Sequence, residues 1–424
     1  MTTQSDRTGG LLAIIALLGS TAWSAIVPHC LLAGDWPQIL GPERNGHAQG
    51  EKLAPWSGDS LSIAWSHPLG QGYAGPAVVK NRIIVFHRVG DSERVEALEP
   101  ATGRSIWSAD FAAKYAGGVD PDTGPRCVPL IHEGRVYVFG AAGNLHCLNL
   151  ADGNKVWSRA VYEEFSGLEG YFGAGSTPLV MGDKLLVNAG GRDDAGLVTL
   201  ALADGRTIWK ATDERASYAS PTAATFGSRQ YAVFVTRMNA MAVRPDSGEV
   251  LFSTPFGQRG PTVNAATPLV FDDYLFLTAS YGIGAQLLQV RGDSVTTVWA
   301  NDRTLSSQYP TPVYDRGVLY GIHGREDLGS ASLRAIDAKS GRIQWSVDNF
   351  GMAHLILADA KLLILTVNGR LILAEAKPGQ FQVLAEARVS SRITRALPAL
   401  AAGRLFVRET TAQGGTLKCV VLPN

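Results

Sequence analysis

Tyrosine and arginine recur at one fixed place in this sequence. Eight positions lie three residues before a regularly spaced proline, or before His354 where it takes the proline place: Tyr73, Arg126, Gly175, Tyr218, Ala265, Tyr309, Gly351 and Arg395. Polar residues nearby are Asn264, Gln308, Asn349 and Arg392. Arginine binds anions and stacks on rings, and both Tyr and Arg are enriched at interface hot spots. The set therefore suits an anionic group, an aromatic group or a protein partner.

Motifs for catalysis or metal binding are weak elsewhere in the chain. The eight histidines show no His-x-x-x-His spacing, and the cysteines form no Cys-x-x-Cys pair. His354 has two interpretations, as a ligand-binding residue or as a structural histidine. Acidic doublets such as Glu326-Asp327 are interpreted as solvated turns, and the stretch from Asp120 to Gly124 as a turn without Ca²⁺-loop spacing. We therefore predict no catalytic residue and no metal ligand.

Composition limits the classes of partner. Lys plus Arg equals 38 and Asp plus Glu equals 38, so no overall field attracts nucleic acid. The 47 glycines and 21 prolines are spread at intervals, as expected for turns between many short strands. An all-β fold follows.

The first 34 residues are predicted to be a secretory signal. Arg7 precedes the apolar run Leu11–Leu18, and cleavage is expected near Ala33 or Gly34. The rival interpretation, an uncleaved membrane anchor, is disfavoured because Pro28 and His29 interrupt the run. We expect an exported protein, periplasmic or extracellular, without stable membrane insertion after cleavage.

The chain contains an internal repeat of about 40 to 50 residues, a period typical of propeller blades. The strands of this repeat must position the tyrosines and arginines. Its clearest copy runs from Thr311 to Trp345, with the turn Asp337-Ala-Lys-Ser-Gly341 before the Trp-bearing last strand. Further copies run over 76–107, 129–157, 178–209, 221–252 and 268–299, and a degenerate one runs from His354 to Leu384, which is assigned the Trp place. The glycine supplies the positive φ that the turn needs, and the Trp is expected to dock between blades.

Two fragments complete the repeat. The last copy, from Pro398, has three strands, whereas Ser62–Trp65 is a Trp-bearing fourth strand with no preceding three. Pairing them closes the ring and leaves no open sheet edge. The sequence thus predicts an eight-bladed β-propeller of four-stranded antiparallel blades over residues 61–424, closed by its N-terminal strand. The recurring Tyr and Arg positions would then ring one channel mouth, unless the tyrosines only fill a tapering channel.

The pattern Ala335-x-Asp337-x-x-Ser340-Gly341-x-x-x-Trp345 resembles the pyrroloquinoline-quinone (PQQ)-like β-propeller repeat family over nearly the whole chain. Before it, residues 35–60 contain Trp36-Pro37, Gly41-Pro42 and Gly46, which resemble the lead-in of many secreted bacterial members and are expected to lie as a strap on the propeller. One branch implied by this resemblance, the quinoprotein dehydrogenases, binds PQQ with Ca²⁺ in the channel. Those proteins are longer, and their alcohol-oxidising members carry a vicinal Cys pair that is missing here. The other branch includes the propeller lipoprotein of the outer-membrane barrel-assembly machinery, which binds protein.

We therefore expect an exported, monomeric, non-catalytic binding or scaffold propeller of the cell envelope, without a cofactor and without nucleic acid. The channel-mouth candidates for holding a ligand or an envelope protein partner are Tyr73, Arg126, Tyr218, Asn264, Tyr309, His354 and Arg395. The alternative is a PQQ-dependent oxidoreductase that uses PQQ with Ca²⁺.

Overall fold

Short apolar runs separated by Gly-containing turns form antiparallel four-stranded meanders. The computed structural model describes residues 1–2, 34–292, 294–411 and 413–423. All strands belong to one compact unit, Leu32–Asn424. The predicted signal lies almost wholly outside the described residues. Among the residues that are described, no helix is long and apolar enough to cross a bilayer.

The strands follow one another in eight blades. The chain enters through β1 (Ile63–Leu69). Blade 1 contains β2 (Ala77–Val79), β3 (Arg82–Val89), β4 (Ser92–Leu98) and β5 (Ser105–Ala112). Blade 2 contains β6 (Leu130–His132), β7 (Arg135–Phe139), β8 (Asn144–Asn149) and β9 (Lys155–Ala160), followed by the short helix α1 (Val161–Phe165). Blade 3 contains β10 (Leu179–Met181), β11 (Lys184–Asn188), β12 (Leu197–Ala201) and β13 (Thr207–Ala211). Blade 4 contains β14 (Thr222–Phe226), β15 (Arg229–Val235), β16 (Asn239–Val243) and β17 (Val250–Pro255).

The second half repeats the same order. Blade 5 contains β18 (Leu269–Phe271), β19 (Tyr274–Ala279), β20 (Gly284–Arg291) and β21 (Ser294–Asn301). Blade 6 contains β22 (Val313–Asp315), β23 (Val318–His323), β24 (Ser332–Asp337) and β25 (Ile343–Val347). Blade 7 contains β26 (Ala353–Ala358), β27 (Lys361–Thr366), β28 (Arg370–Glu375) and β29 (Val383–Arg388). Blade 8 contains β30 (Ala399–Ala401), β31 (Arg404–Thr411) and β32 (Gly414–Val421).

The ring closes as the repeat predicts. β1 pairs with β32 in antiparallel register, with Trp65 opposite Cys419, so blade 8 takes its outer strand from the start of the chain. The predicted eight-bladed β-propeller is confirmed. Its core lies between blades, because the buried apolar clusters are built from neighbouring blades, such as Leu145 of blade 2 with Leu185 of blade 3. Cys127, Cys147 and Cys419 are buried and free, so none of the three forms a disulfide.

The Trp–Gly repeat is an inter-blade joint. The indole N–H of Trp107 donates to the Leu150 carbonyl of the next blade at 3.0 Å, and its ring covers Gly153. A Cβ added to Gly153 would lie 2.4 Å from the ring, and the φ of Gly153 is 74°. The same joint recurs as Trp65 on Gly103, Trp157 on Gly205, Trp209 on Gly248 and Trp299 on Gly341. The glycine is therefore required both by backbone conformation and by the indole above it.

A β-bulge directs each outer strand into this joint. The residue before the Trp has no partner in the strand pairing. In blade 2, for example, Cys147 pairs with Trp157 and Leu148 pairs with Lys155, so Val156 is left unpaired. A bulge of this kind bends and twists the strand locally. In blade 7 the register pairs Leu373 with Ala385 and leaves Leu384 in the bulge. The assignment of Leu384 to the Trp place was therefore one residue off, because the bulge is invisible in a sequence without the Trp.

The lead-in segment (residues 35–60) makes hydrogen bonds to seven of the blades. These bonds join Trp36 to Val78, Pro37 to Ile131, Arg44 to Pro178 and Pro221, His47 to Tyr314, Gly46 to Leu357, and Glu51 to Ala402. Arg44 is only 2% exposed, and its guanidinium donates to three backbone carbonyls of blades 3 and 4. Its charge is satisfied entirely by carbonyl dipoles and the Gln38 amide oxygen.

Candidate binding cavity at the channel mouth

The loops that enter the innermost strands enclose a cavity of about 560 Å³. Seven of the eight positions that precede a blade's first Pro or His line it, and Gly351 does not. The complete lining is Ile39, Tyr73, Asp120, Arg126, Phe172, Gly175, Tyr218, Val263, Ala265, Tyr281, Gln308, Tyr309, Glu326, Asp327, His354, Arg395 and Leu397. Positions that are equivalent in the sequence repeat therefore line the same cavity, because the first strand of every blade begins at the same level of the propeller.

Two arginines lie near the ring of Tyr73. The guanidinium carbon of Arg126 lies 5.5 Å from the centre of this ring, and that of Arg395 lies 5.2 Å away. Both distances are within the range of cation–π attraction. Arg126 also donates to the carbonyls of Gly124 and Asp122, so its position is fixed by the loop that carries it.

A second group joins blade 6 to blade 8. The Tyr309 hydroxyl donates to Glu326 at 2.8 Å, and Arg395 donates to the other oxygen of Glu326 at 2.9 Å. Burial lowers the pKa of Arg395, but the hydrogen bond and charge of Glu326 outweigh burial and raise it above its ordinary value. Burial, together with the Glu326 carboxylate, raises the pKa of Tyr309 well above its usual range. The tyrosine therefore stays protonated and the guanidinium charged.

Tyr218 organises another part of the cavity wall. Its hydroxyl oxygen accepts hydrogen bonds from the backbone N–H of Tyr171 at 2.8 Å and of Phe172 at 3.0 Å. The ring of Phe172 packs edge-on against it at 5.4 Å. One tyrosine thus fixes a loop of the neighbouring blade and presents two aromatic rings to the cavity.

His354 combines a structural bond with an unused acceptor. Its Nε2 contacts the Arg395 carbonyl at 2.8 Å, which requires a proton on Nε2. Burial lowers its pKa to about 4, so the ring is neutral and Nδ1 carries a lone pair. Nδ1 has no hydrogen-bond partner among the described residues. This nitrogen is itself buried, so it does not face the cavity.

Asn264 is placed differently from the other six predicted residues. It is 1% exposed and does not line the cavity. Its amide donates to the carbonyls of Thr236 and Phe256, both at 2.9 Å. The structure therefore places Asn264 outside the cavity, where its amide nitrogen fixes a loop of blade 4.

Several lining residues were missed by the sequence analysis. Glu326 and Asp327, interpreted as a solvated turn, face the cavity, and so does Asp120. The turn assigned to Asp120–Gly124 is present, since Asp122 N–H donates to Asp120 at 2.8 Å. Glu326 and Asp327 lie in the loop after the second strand of blade 6. This loop is at the same end of the blade as the mouth positions, and that placement could have located the two residues from the sequence.

The arginines of the mouth already have carboxylate neighbours. Arg395 binds Glu326, and Arg325 binds Asp327 through two nitrogens. Arg126 lies 3.9 Å from Asp122. The mouth is therefore close to electrically balanced, although the sequence alone left an anionic group open as one of three classes of ligand.

Fold and cavity together define a propeller of PQQ-like repeats with an aromatic, charge-balanced recess at one channel mouth. Residues 91–347, more than half of the chain, match the family model described as outer membrane protein assembly factor BamB. The chain belongs to this family. By sequence, no curated protein is significantly similar to it.

Solved structures share the fold at low identity. BamB from Moraxella catarrhalis is 17% identical with a TM-score of 0.59, covering 88% of this chain and 99% of that one. A europium-containing methanol dehydrogenase is 12% identical with a TM-score of 0.72, covering 92% and 98%. The quinohemoprotein alcohol dehydrogenase from Comamonas testosteroni is 16% identical with a TM-score of 0.65, covering 92% and 82%. These similarities establish the architecture that binding proteins and enzymes share.

Proposed function

We propose that this protein is an exported, non-catalytic binding propeller of the cell envelope that holds a protein partner in the channel-mouth cavity. The observation that carries the proposal is Tyr73 with Arg126 and Arg395 near its ring. Arg126 is fixed by its own loop, and Arg395 is fixed by Glu326 of blade 6. Tyr and Arg are the residues that dominate interface energetics, and a pre-organised cluster loses little entropy on binding.

Family membership and the start of the sequence support the location. The matching family model is that of an outer membrane protein assembly factor. The apolar run after Arg7 has the form of a secretory signal. Both point to a protein that works outside the cytoplasm, in the periplasm or beyond it.

The alternative, a PQQ-dependent oxidoreductase, fits the cavity poorly. PQQ is a planar tricarboxylate and would need free cations, yet each mouth arginine already has a carboxylate beside it. Among the described residues, no group of three His, Cys, Asp or Glu side chains is arranged to hold a metal ion. We therefore propose that binding here uses no cofactor.

Comparative affinity capture tests the binding role. The full chain would be recovered from envelopes of the cells that produce it, as wild type, as Tyr73→Ala and as the control Tyr274→Ala. Tyr274 is the first residue of β19 and does not line the cavity. We expect a protein whose recovery falls with Tyr73→Ala and is unchanged with Tyr274→Ala. Equal recovery from all three chains would contradict the proposal.

A further inference from the structure

The first strand of every blade presents one equivalent backbone position to the channel. Each of these strands ends in a two-residue turn, and in an antiparallel ladder every second residue points its N–H and C=O away from the partner strand. The next-to-last residue of the strand is of this kind, since Val78 exchanges both of its backbone hydrogen bonds with Trp36 rather than with β3. The eight equivalent residues are Val78, Ile131, Val180, Thr225, Val270, Tyr314, Leu357 and Leu400.

The lead-in segment occupies this position in four blades. Its hydrogen bonds to the backbone there are 2.7–2.9 Å long, and the residues that receive them are Val78, Ile131, Tyr314 and Leu357. The bridge to Val78 is antiparallel and the bridge to Leu357 is parallel. The channel edge of a first strand therefore accepts an extended chain in either direction. In blade 8 the equivalent residue, Leu400, is 1% exposed.

The same position is open in three consecutive blades, 3, 4 and 5. Within the described part of the chain, no hydrogen bond reaches the channel-facing backbone of Val180, Thr225 or Val270. Thr225 is exposed and the two valines are half-buried, whereas the covered Val78 is 3% exposed. The lead-in segment reaches blades 3 and 4 through the side chain of Arg44 instead of through its backbone.

The three open positions line one cavity of about 370 Å³, here called the lower groove. It shares no lining residue with the channel-mouth cavity. Leu179, Pro268 and Leu269 make its wall largely apolar. Arg44 also lines it, but the guanidinium is already bonded to three carbonyls and to Gln38.

We propose that the lower groove binds an extended segment of a protein partner, which pairs its backbone with blades 3, 4 and 5 as the lead-in segment pairs with blades 1, 2 and 7. Unpaired strand edges are templates for another strand, and adding a strand to such an edge is a common mode of peptide recognition. A helix cannot serve, because its backbone groups are bonded internally. The apolar wall and the saturated Arg44 select small, uncharged side chains. This site goes beyond the proposed channel-mouth function and does not depend on it.

Peptide selection on the full chain tests the groove. A random nine-residue display library would be selected on wild type and counted against Thr225→Pro, with Thr225→Val as the matched control. Proline removes the channel-facing N–H and is tolerated on an edge strand, whereas valine keeps that N–H. Selected peptides would also be synthesised with an N-methyl group on one backbone nitrogen at a time and titrated against wild type, a measurement that needs no variant to fold.

We expect peptides of small, uncharged residues that bind wild type and Thr225→Val alike and bind Thr225→Pro at least about tenfold more weakly. N-methylation should weaken binding at some positions and leave the adjacent ones unchanged, because alternate amides of an extended chain face the wall. Binding that tolerates Thr225→Pro, or N-methylation at every position, would overturn the inference.

Two further outcomes separate this site from other occupants and from the channel mouth. Self-association in light scattering that is lost with Thr225→Pro would assign the groove to a second copy of the chain and overturn the partner. Peptides for the groove should bind Tyr73→Ala as they bind wild type. A selection that yields only peptides dependent on Tyr73 would overturn the groove and leave the channel-mouth function standing.

Discussion

Adding one methyl group at Gly153 should break an inter-blade joint. Two costs combine in Gly153→Ala. A φ of 74° costs an L-residue about 1–2 kcal/mol, and a Cβ placed 2.4 Å from Trp107 forces the indole away. Displacing the ring adds about 1–3 kcal/mol of overpacking and weakens the bond from Trp107 to Leu150, which is worth about 1 kcal/mol. We expect a total loss of about 2–6 kcal/mol.

Gly134→Ala is the matched control. Gly134 lies in the same blade with a φ of 75°, but a Cβ there meets nothing within 4 Å. Gly134→Ala should therefore lower the free energy of unfolding only by the cost of the positive φ, about 1–2 kcal/mol. Urea unfolding followed by far-UV circular dichroism, with m-values compared, measures both variants.

The reasoning depends on the difference between the two variants. Equal losses would refute the joint, since both glycines carry the same backbone strain. A second check uses Trp107→Leu as background, where the cost of Gly153→Ala should fall towards that of Gly134→Ala. If the cost stays unchanged in that background, the indole does not press on Gly153.

Three further predictions concern other parts of the molecule. Arg44→Met should lower the free energy of unfolding by about 3–5 kcal/mol, because three buried carbonyls lose their donor, and an unchanged urea midpoint would contradict this. Burial raises the pKa of Glu93 to about 7, so between pH 4.5 and 7 the folded chain holds a proton that the unfolded chain has released. Stability should then fall as pH rises through this window, by about 1.4 kcal/mol per unit at most, and Glu93→Gln should flatten the profile; parallel pH profiles of the two proteins would refute it. Titration with PQQ and Ca²⁺ should leave the melting midpoint unchanged, whereas a saturable rise accompanied by dye-linked oxidation of alcohols or sugars would revive the oxidoreductase alternative.

The architecture could be predicted because it is periodic. Proline, Asp-x-x-Ser-Gly and Trp return at one spacing, and each has a local physical role that needs no distant contact: a strand start, a positive-φ turn and an inter-blade joint. The positions that precede each proline fall at one height of the ring for the same reason. Tyr73, Arg126, Tyr218, Tyr309 and Arg395 were predicted in this way and line the cavity, and so does His354, which was predicted from its proline place.

The contacts between cavity residues could not be predicted from the sequence, because they involve loops and residues that are distant in the chain. Glu326 meets Arg395, 69 positions away, and that pairing gives Arg395 a carboxylate partner that no local pattern indicates. An Asn side chain is able to bind a ligand, but the amide nitrogen of Asn264 donates to backbone carbonyls instead. The sequence alone does not show which of the two an Asn will do. Ile39 of the lead-in segment reaches the cavity although no repeat rule places it there. Irregular segments carry no periodicity, so their side chains cannot be assigned to a site in advance.

The most direct test of the central claim is photo-cross-linking from the cavity rim. Benzoylphenylalanine would replace Tyr171, which is 38% exposed and hydrogen-bonded to the cavity residue Tyr218, with Tyr274 as the control position. In the cells that produce the protein, we predict one protein adduct from position 171 that disappears when Tyr73→Ala is added, and none from position 274. Identical adducts from both positions, or an adduct at position 171 that persists with Tyr73→Ala, would contradict the account.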